Sequence, residues 1–171
     1  PTLYAPESIY DQAKLADMDF GTFTVDGEDY PLSFVLYEDF YMYHTDTAIR
    51  RAAFDAFSKV LKQYENVIAQ AYYSKVQTEK TLATMRGFDS IFDYLLYNQE
   101  VDQDLYNRQI DVIMSDLAPV MRKYITHLKE VQGLDKVTYA DLKIDLDPEY
   151  SPKVTIEDSQ KMVADAVSIL G

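Results

Sequence analysis

Hydrophobic residues repeat at helical spacing through most of the chain, and the longest such pattern lies at about 46–86. This stretch contains no proline and no glycine between Asp46 and Arg86. Apolar residues recur there every three or four positions, which places them on one face of a helix. Thr45 is the expected N-cap, and Gly87 is expected to end the helix in a left-handed conformation. The predicted buried face comprises Ile49, Ala53, Phe57, Val60, Tyr64, Val67 and Ala71.

A second long helix is predicted at about 102–131, beginning at Asp102. Pro119 lies inside it and lacks a backbone N–H, so we expect a kink or a division into two helices. Gly133 is expected to end the pattern. The predicted buried face comprises Tyr106, Ile110, Ile113, Leu117, Val120, Tyr124 and Val131.

Shorter helices are predicted around these two. One covers about 6–16, one follows Ser33, and one begins at Asp89 or Ser90. A last helix is expected at about 156–170, behind a capping-box pattern formed by Thr155 and Asp158. Its apolar residues are Ile156, Met162, Val163, Ala166, Val167 and Leu170.

Strand patterns are few. Strand-like residues flank Asp26-Gly27, a strong hairpin signal, so a short β-hairpin is predicted near 20–32. Alternating Leu142, Ile144 and Leu146 predict a short extended segment near 142–146. The predicted fold class is therefore mainly α: a multi-helix array in which residues 1–171 form a single helical piece.

Composition narrows the range of partners. The 171 residues are 47% hydrophobic, which suits a packed core, and carry a formal net charge of −13. Such an acidic chain repels phosphates, so we expect no nucleic acid or anionic membrane as partner. The absence of cysteine excludes disulfides and thiolate metal ligands. No apolar run approaches the roughly 18–20 residues of a membrane-spanning helix.

The two ends of the sequence suggest a piece of a longer protein. The chain opens without methionine and closes on an apolar helical run. A cut piece is the expectation, although processing would give the same ends.

His127 and Glu130 are the most suggestive pair of metal-binding residue types. Their spacing of three places both side chains on one flank of the second long helix. A zinc site requires three or four protein ligands, and no further ligand is near in sequence. The pair is therefore predicted to be a solvated flank, and a metal-binding helical bundle remains a minor alternative. His44, the other histidine, is predicted to lie in a loop before a helix.

Other chemistry is scarce. The sequence contains no HExxH, GxSxG, GxxxxGK[ST] or GxGxxG motif. Acidic composition alone explains the carboxylate pairs Asp145/Asp147 and Glu157/Asp158. The aromatic run at 36–44 suits a core better than a peptide groove. The arginines are expected to pair with local acids: Arg50, Arg51, Arg86, Arg108 and Arg122. No catalytic, cofactor-binding or metal-ligating residue is assigned.

Five stretches, in order along nearly the whole chain, resemble segments of the oligoendopeptidase F family of zinc metallopeptidases. They are "MDFGTFTVDGEDYPLS", "HTDTAIRRAAFDAF", "TLATMRGFDSIFDYLL", "MRKYITHLKEVQGLDKVTYADLKIDL" and "VTIEDSQKMVADAVSILG". No single stretch is diagnostic, but their order and spacing agree with the family.

The resemblance implies a function for a parent protein. Members of the family are hydrolases that cleave short peptides in a deep cleft, with zinc held by HExxH and a downstream glutamate. That region follows the segment resembling residues 156–171, so this chain is expected to be an inactive fragment that supplies cleft-wall helices. A cytoplasmic protease is implied, with short peptides and the missing C-terminal catalytic part as partners. Self-association through exposed apolar surface is also expected.

A rival interpretation belongs to another class of protein. The chain could be a self-contained helical module that binds a peptide or a protein through an aromatic groove. The residues encoded after Gly171 separate the two interpretations: an HExxH motif favours the peptidase, and a stop codon favours the module.

Overall fold

The computed structural model describes residues 2–147, 149–150 and 152–170, and helices dominate them. The α-helices, in chain order, are α1 Ala5–Gln12, α2 Phe34–Asp39, α3 Thr47–Gln63, α4 Glu65–Met85, α5 Ile91–Tyr97, α6 Gln103–Val112, α7 Ala118–Val131 and α8 Ile156–Val167. Two strands, β1 Thr22–Val25 and β2 Glu28–Pro31, form an antiparallel hairpin. The mainly α fold with a short hairpin is therefore confirmed.

The hairpin has the tight turn that Asp-Gly predicts. Asp26 and Gly27 both have positive φ, 52° and 86°, as a type I′ turn requires. The register pairs Val25 with Glu28 and Phe23 with Tyr30. Phe23 is thereby directed into the core, and the other face of the strand stays exposed.

The core is aromatic and lies between the hairpin, α2 and α3. Its buried members are Phe20, Phe23, Leu32, Tyr37, Tyr41, Ala53 and Phe57. The rings of Tyr37 and Phe57 stack with centroids 4.1 Å apart, and the Tyr41 hydroxyl donates to the Pro31 carbonyl at 2.7 Å. Two of the four aromatic residues in the run at 36–44, Tyr37 and Tyr41, are thus core, whereas Phe40 and Tyr43 are about half exposed.

The pattern at about 46–86 forms two helices rather than one. Tyr64 has φ −100° and ψ 5°, which ends α3 and precedes α4. Its hydroxyl donates to the carbonyl of Asp17 at 2.6 Å. The contact joins the break to a segment distant in sequence, which the apolar spacing along one helix does not indicate.

The N-cap of α3 is Asp46 and not Thr45. The Asp46 carboxylate accepts from the backbone N–H groups of Ala48 and Ile49, at 2.7 and 3.2 Å. A carboxylate is the stronger acceptor at the positive end of a helix, so the aspartate takes the cap when both residues are present. The other predicted helix starts, after Ser33, at Asp89 or Ser90 and at Asp102, are confirmed, and the N-caps there are Ser33, Ser90 and Asp102.

The pattern at 102–131 is divided where proline predicts. A π-turn at Ile113–Leu117 separates α6 from α7. Pro119 then lies in the first turn of α7, where no N–H donor is required. Gly87 and Gly133 end their helices with φ of 79° and 61°, as predicted.

The segment near 142–146 begins as a turn rather than as an extended chain. Tyr139–Asp141 form a 3-10 turn, and Leu142 continues it with φ −74° and ψ −17°. No strand pairs with 142–146 in the described part of the chain. Thr138 and Asp141 form a capping box, which favours a helical turn over an extended strand here. Of the three alternating apolar residues, only Ile144 is buried.

The face predicted to be buried at 102–131 is largely exposed on this chain, and so is the apolar face of α8. Side chains 106–117 and 119–123 are all exposed, including Tyr106, Ile113 and Val120. In α8, the predicted capping box is confirmed, yet every side chain at 152–169 is exposed. The side chain of Leu170 lies outside the described residues. The sequence pattern shows which helix faces are apolar. No element among the described residues covers these two faces.

Candidate functional site

His127 and Glu130 lie exposed on α7, on the flank of a helix whose buried residue is Leu128. Within residues 2–147, 149–150 and 152–170, no three histidine or carboxylate side chains gather closely enough to hold a metal ion. The described residues therefore do not fit a zinc site.

His44 lies in the loop between the 3-10 turn Tyr41–Tyr43 and α3, as predicted. Its Nδ1 accepts from the backbone N–H of Asp46 at 3.1 Å, and its ring packs edge-on against Phe40. The imidazole thus contributes a hydrogen bond to the N-cap residue of α3.

The strongest polar cluster in the described chain joins α3 to the turn Tyr139–Asp141. Asp141 is fully buried, and Arg50 is 1% exposed. Arg50 donates through Nε and Nη2 to Asp141 Oδ1 at 3.1 and 2.6 Å. Arg51 donates to Oδ2 through the same two atoms at 3.3 and 3.1 Å. Each arginine thus places two N–H donors on one oxygen of the carboxylate, and such charge-assisted hydrogen bonds are stronger than neutral ones.

The remaining contacts of the cluster complete its hydrogen bonding. The backbone N–H and hydroxyl of Thr138 both donate to Asp141 Oδ2 at 2.8 Å. Arg50 Nη1 donates to the His44 carbonyl at 2.6 Å. Arg51 also donates to Asp135 at 3.0 Å and to the Lys136 carbonyl at 2.7 Å. We call Arg50, Arg51 and Asp141 the ionic clamp.

The clamp sets the protonation of its carboxylate. Burial by itself would raise the pKa of Asp141, but hydrogen bonds from Arg50, Thr138 and Arg51 outweigh burial. They lower the pKa from 3.8 to about 2. Asp141 is therefore an anion at neutral pH. Its oxygens accept hydrogen bonds from within the fold and not from a substrate.

Sequence reasoning missed this cluster. The partners of Arg50 and Arg51 are some 90 residues distant and not local. The pattern Thr138-x-x-Asp141 is the same capping-box signal that identified Thr155 and Asp158, so the local role of Asp141 was readable. Nothing local indicates its pairing with α3. Among the described residues, Arg86, Arg108 and Arg122 form no ion pair, and Arg86 lies over the Tyr94 ring.

A shallow crevice separates α1 from α4. Lys75 pairs there with Glu7 and with Glu79, and the lysine hydrogen bond lowers the pKa of Glu7. The crevice measures about 220 Å³ and its walls are largely apolar. That volume is below the roughly 300–1,000 Å³ typical of small-molecule sites.

Comparison with known proteins identifies the family of this chain. The model of Peptidase family M3 matches residues 40–171. The chain belongs to peptidase family M3, and its resemblance to oligoendopeptidase F is confirmed by its relatives.

An oligoendopeptidase F homolog of Borreliella burgdorferi is 26% identical over the whole chain, which spans 28% of that protein. Oligopeptidase PepF of Bacillus subtilis is 28% identical over 72% of the chain and 18% of its own length. The crystal structure of oligoendopeptidase-F from Enterococcus faecium superposes with a TM-score of 0.82 at 23% identity, over 99% of this chain and 32% of that one. The chain thus spans under a third of the length of these relatives.

No helix in the described residues combines the length and the apolar character needed to cross a membrane.

Proposed function

We propose that this chain is part of a longer oligoendopeptidase of the F type and supplies helices that wall its peptide-binding cleft. The observation that carries the proposal is the family match over 40–171, together with the small share of each relative that the chain spans. Short peptides are the proposed substrates of the parent, and the cytoplasm is its proposed location.

The exposed apolar faces support a role as part of a larger body. Tyr106, Ile113 and Val120 lie along α6, the π-turn and α7, and Met162 and Val163 lie on α8. An amphipathic helix normally buries its apolar face against a neighbour. The proposed neighbour is the catalytic part of the parent, which would cover these helices from one side.

Zinc is proposed for the parent and not for this chain. In the family that the chain resembles, the ligands belong to an HExxH motif and a downstream glutamate. Neither is present in the 171 residues. Because the described residues do not fit a zinc site, the isolated chain is proposed to be catalytically inactive.

Peptide hydrolysis and metal content of the isolated chain test this proposal. A quenched fluorescent oligopeptide should stay intact with added zinc, and elemental analysis should find less than stoichiometric metal. Oligopeptidase PepF of Bacillus subtilis serves as the active control. Stoichiometric zinc together with cleavage that a chelator abolishes would overturn the proposed inactivity.

A helical interaction module is the second candidate, and the same exposed faces favour it. A module should bind its partner as the isolated chain, whereas a cleft wall should need the rest of the parent. A stop codon directly after Gly171 in the parent gene would favour the module.

A further inference from the structure

Thr22 and Thr24 lie on an edge of the hairpin, which is the only sheet in the described part of the chain. In an antiparallel hairpin, pairs joined by two hydrogen bonds alternate with pairs that form none. The Leu32 N–H donates to the Gly21 carbonyl at 2.9 Å, so the next pair along the register, at Thr22, is of the second kind. The pair at Thr24, two positions later, is of the second kind as well. The backbone N–H and C=O of both threonines therefore point away from β2.

The two edges of the hairpin differ. On β2, Pro31 has no N–H, and its carbonyl accepts from the Tyr41 hydroxyl at 2.7 Å. On β1, no described residue bonds to the outward backbone groups of Thr22 and Thr24, and both residues are exposed. Natural edge strands are blocked by proline, charge or a covering element, and "TFTV" carries neither proline nor charge. We call Thr22 and Thr24 with their outward backbone groups the open edge.

Packing and hydrogen bonds fix the position of the open edge. Phe23, between the two threonines, is buried, and its ring meets the Tyr41 ring edge-on at 5.0 Å. The Thr24 hydroxyl donates to Asp29 Oδ1 at 2.6 Å across the two strands. Because the edge is already ordered, an incoming strand loses only its own conformational freedom on binding.

The surroundings of the open edge are acidic. The sequence from 15 to 49 contains no lysine and no arginine. Its exposed carboxylates are Asp17, Asp19, Asp26, Glu28, Asp29, Glu38, Asp39 and Asp46. A surface of one charge attracts a partner of opposite charge and repels a second copy of itself. A cationic strand therefore suits this edge, and a second copy of the chain does not.

We propose that the open edge binds an extended basic peptide by strand addition. The peptide backbone pairs with the N–H and C=O groups of Thr22 and Thr24, and its basic side chains meet the surrounding carboxylates. The edge matches a segment of about four residues, the length of β1. The proposal concerns a surface of this chain and does not depend on its proposed role in a peptidase.

Nuclear magnetic resonance of the isotope-labelled chain tests the proposal with the peptide acetyl-Lys-Val-Lys-Val-Lys-amide. The amide signals of Thr22 and Thr24 should shift until the site is saturated, and those of α8 should not. The same peptide with every backbone nitrogen methylated keeps its charge but cannot donate, so it should bind roughly tenfold more weakly. Acetyl-Glu-Val-Glu-Val-Glu-amide should also bind roughly tenfold more weakly, because its charge is reversed.

Two substitutions at one position separate the backbone from the side chain. Thr24→Pro and Thr24→Ala both remove the hydroxyl that donates to Asp29. Only the proline also removes the outward N–H, so Thr24→Pro should weaken peptide binding roughly tenfold relative to Thr24→Ala. Thr22→Pro is the second variant, since the Thr22 N–H also points outward. Unchanged ring signals of Tyr41 report that the hairpin is intact.

Four results would overturn the proposal. Equal binding of the methylated peptide would show attraction by charge alone, and this comparison decides if both proline variants disturb the hairpin. Unchanged binding in both proline variants with an intact hairpin would exclude pairing at the open edge. Shifts of the two threonine signals that depend on protein concentration without peptide would identify a second copy as the occupant. Loss of peptide binding in a longer product of the same gene would show that the parent covers this edge itself.

Discussion

Asp141 is the most constrained single residue described, because two arginines and a threonine share its two oxygens. A carboxylate whose pKa is lowered by folding stabilises the folded state at any pH above its unfolded pKa. That contribution is lost as pH falls through the folded pKa. For Asp141 the window therefore runs from about pH 4 down to the folded value of about 2.

Acid titration of stability should reveal this residue. The shift from 3.8 to about 2 corresponds to about 2 kcal/mol of unfolding free energy that disappears across the window. Urea unfolding at several pH values should show a steeper loss below pH 4 in the natural chain than in Asp141→Asn. Equal slopes in both proteins would contradict the protonation assigned to Asp141.

Substitution of His127 tests the remaining metal hypothesis, which is that the chain is a metal-binding helical bundle. Because its side chain is exposed and no third ligand gathers beside Glu130 in the described residues, His127→Ala should leave metal content unchanged. Elemental analysis after dialysis against zinc gives the comparison. A loss of one bound zinc per chain in the variant would revive the metal-binding bundle.

The N-cap residue of a helix contributes to the stability of the fold. Two neighbouring residues, Asp46 and Thr45, can be compared as caps of α3. Asp46→Ala removes the acceptor for two backbone N–H groups and should cost about 1 kcal/mol of unfolding free energy. Thr45→Ala, one residue earlier, should cost much less. Chemical denaturation of both variants measures the difference, and a larger loss for Thr45→Ala would restore the cap that the sequence alone suggested.

Elements were predictable from sequence wherever the signal was local. The Asp26-Gly27 turn, the caps at Ser33 and Asp102, and the division at Pro119 each follow from one or two residues. The break at Tyr64 was not predictable, because apolar spacing continues through it and its hydroxyl contact to Asp17 spans 47 residues. The turn at 139–141 was misread because alternation in the following residues outweighed the Thr138 cap.

The candidate site was less predictable than the elements. That His127 and Glu130 lack a third ligand was visible from sequence. The clamp was not, because pairing between Arg50 and Asp141 depends on how five intervening helical elements return the chain to α3. Burial of the apolar face of α6 and α7 was predicted from the sequence pattern alone, and the pattern does not say which element covers a face.

The whole molecule combines a high negative charge with exposed apolar faces. The exposed apolar side chains of α6, α7 and α8 favour association, whereas the net charge of −13 opposes it. We expect the isolated chain to self-associate reversibly, and more strongly at high salt because salt screens the repulsion. Sedimentation velocity across protein and salt concentrations measures this.

A substitution on α7 locates the associating face. Val120→Asp places a charge on the exposed apolar stripe and should shift the chain toward monomer. Gln109→Asp adds the same charge at an exposed polar position of α6 and is the control. A natural chain that is strictly monomeric at all concentrations would count against the interpretation of these apolar faces as contact surfaces.

The central claim is that this chain is the cleft-wall part of a longer oligoendopeptidase, and the gene beyond the codon for Gly171 tests it most directly. Sequencing that region should show an open reading frame that continues into an HExxH motif on a predicted helix. A stop codon directly after Gly171 would contradict the claim and leave a self-contained helical module.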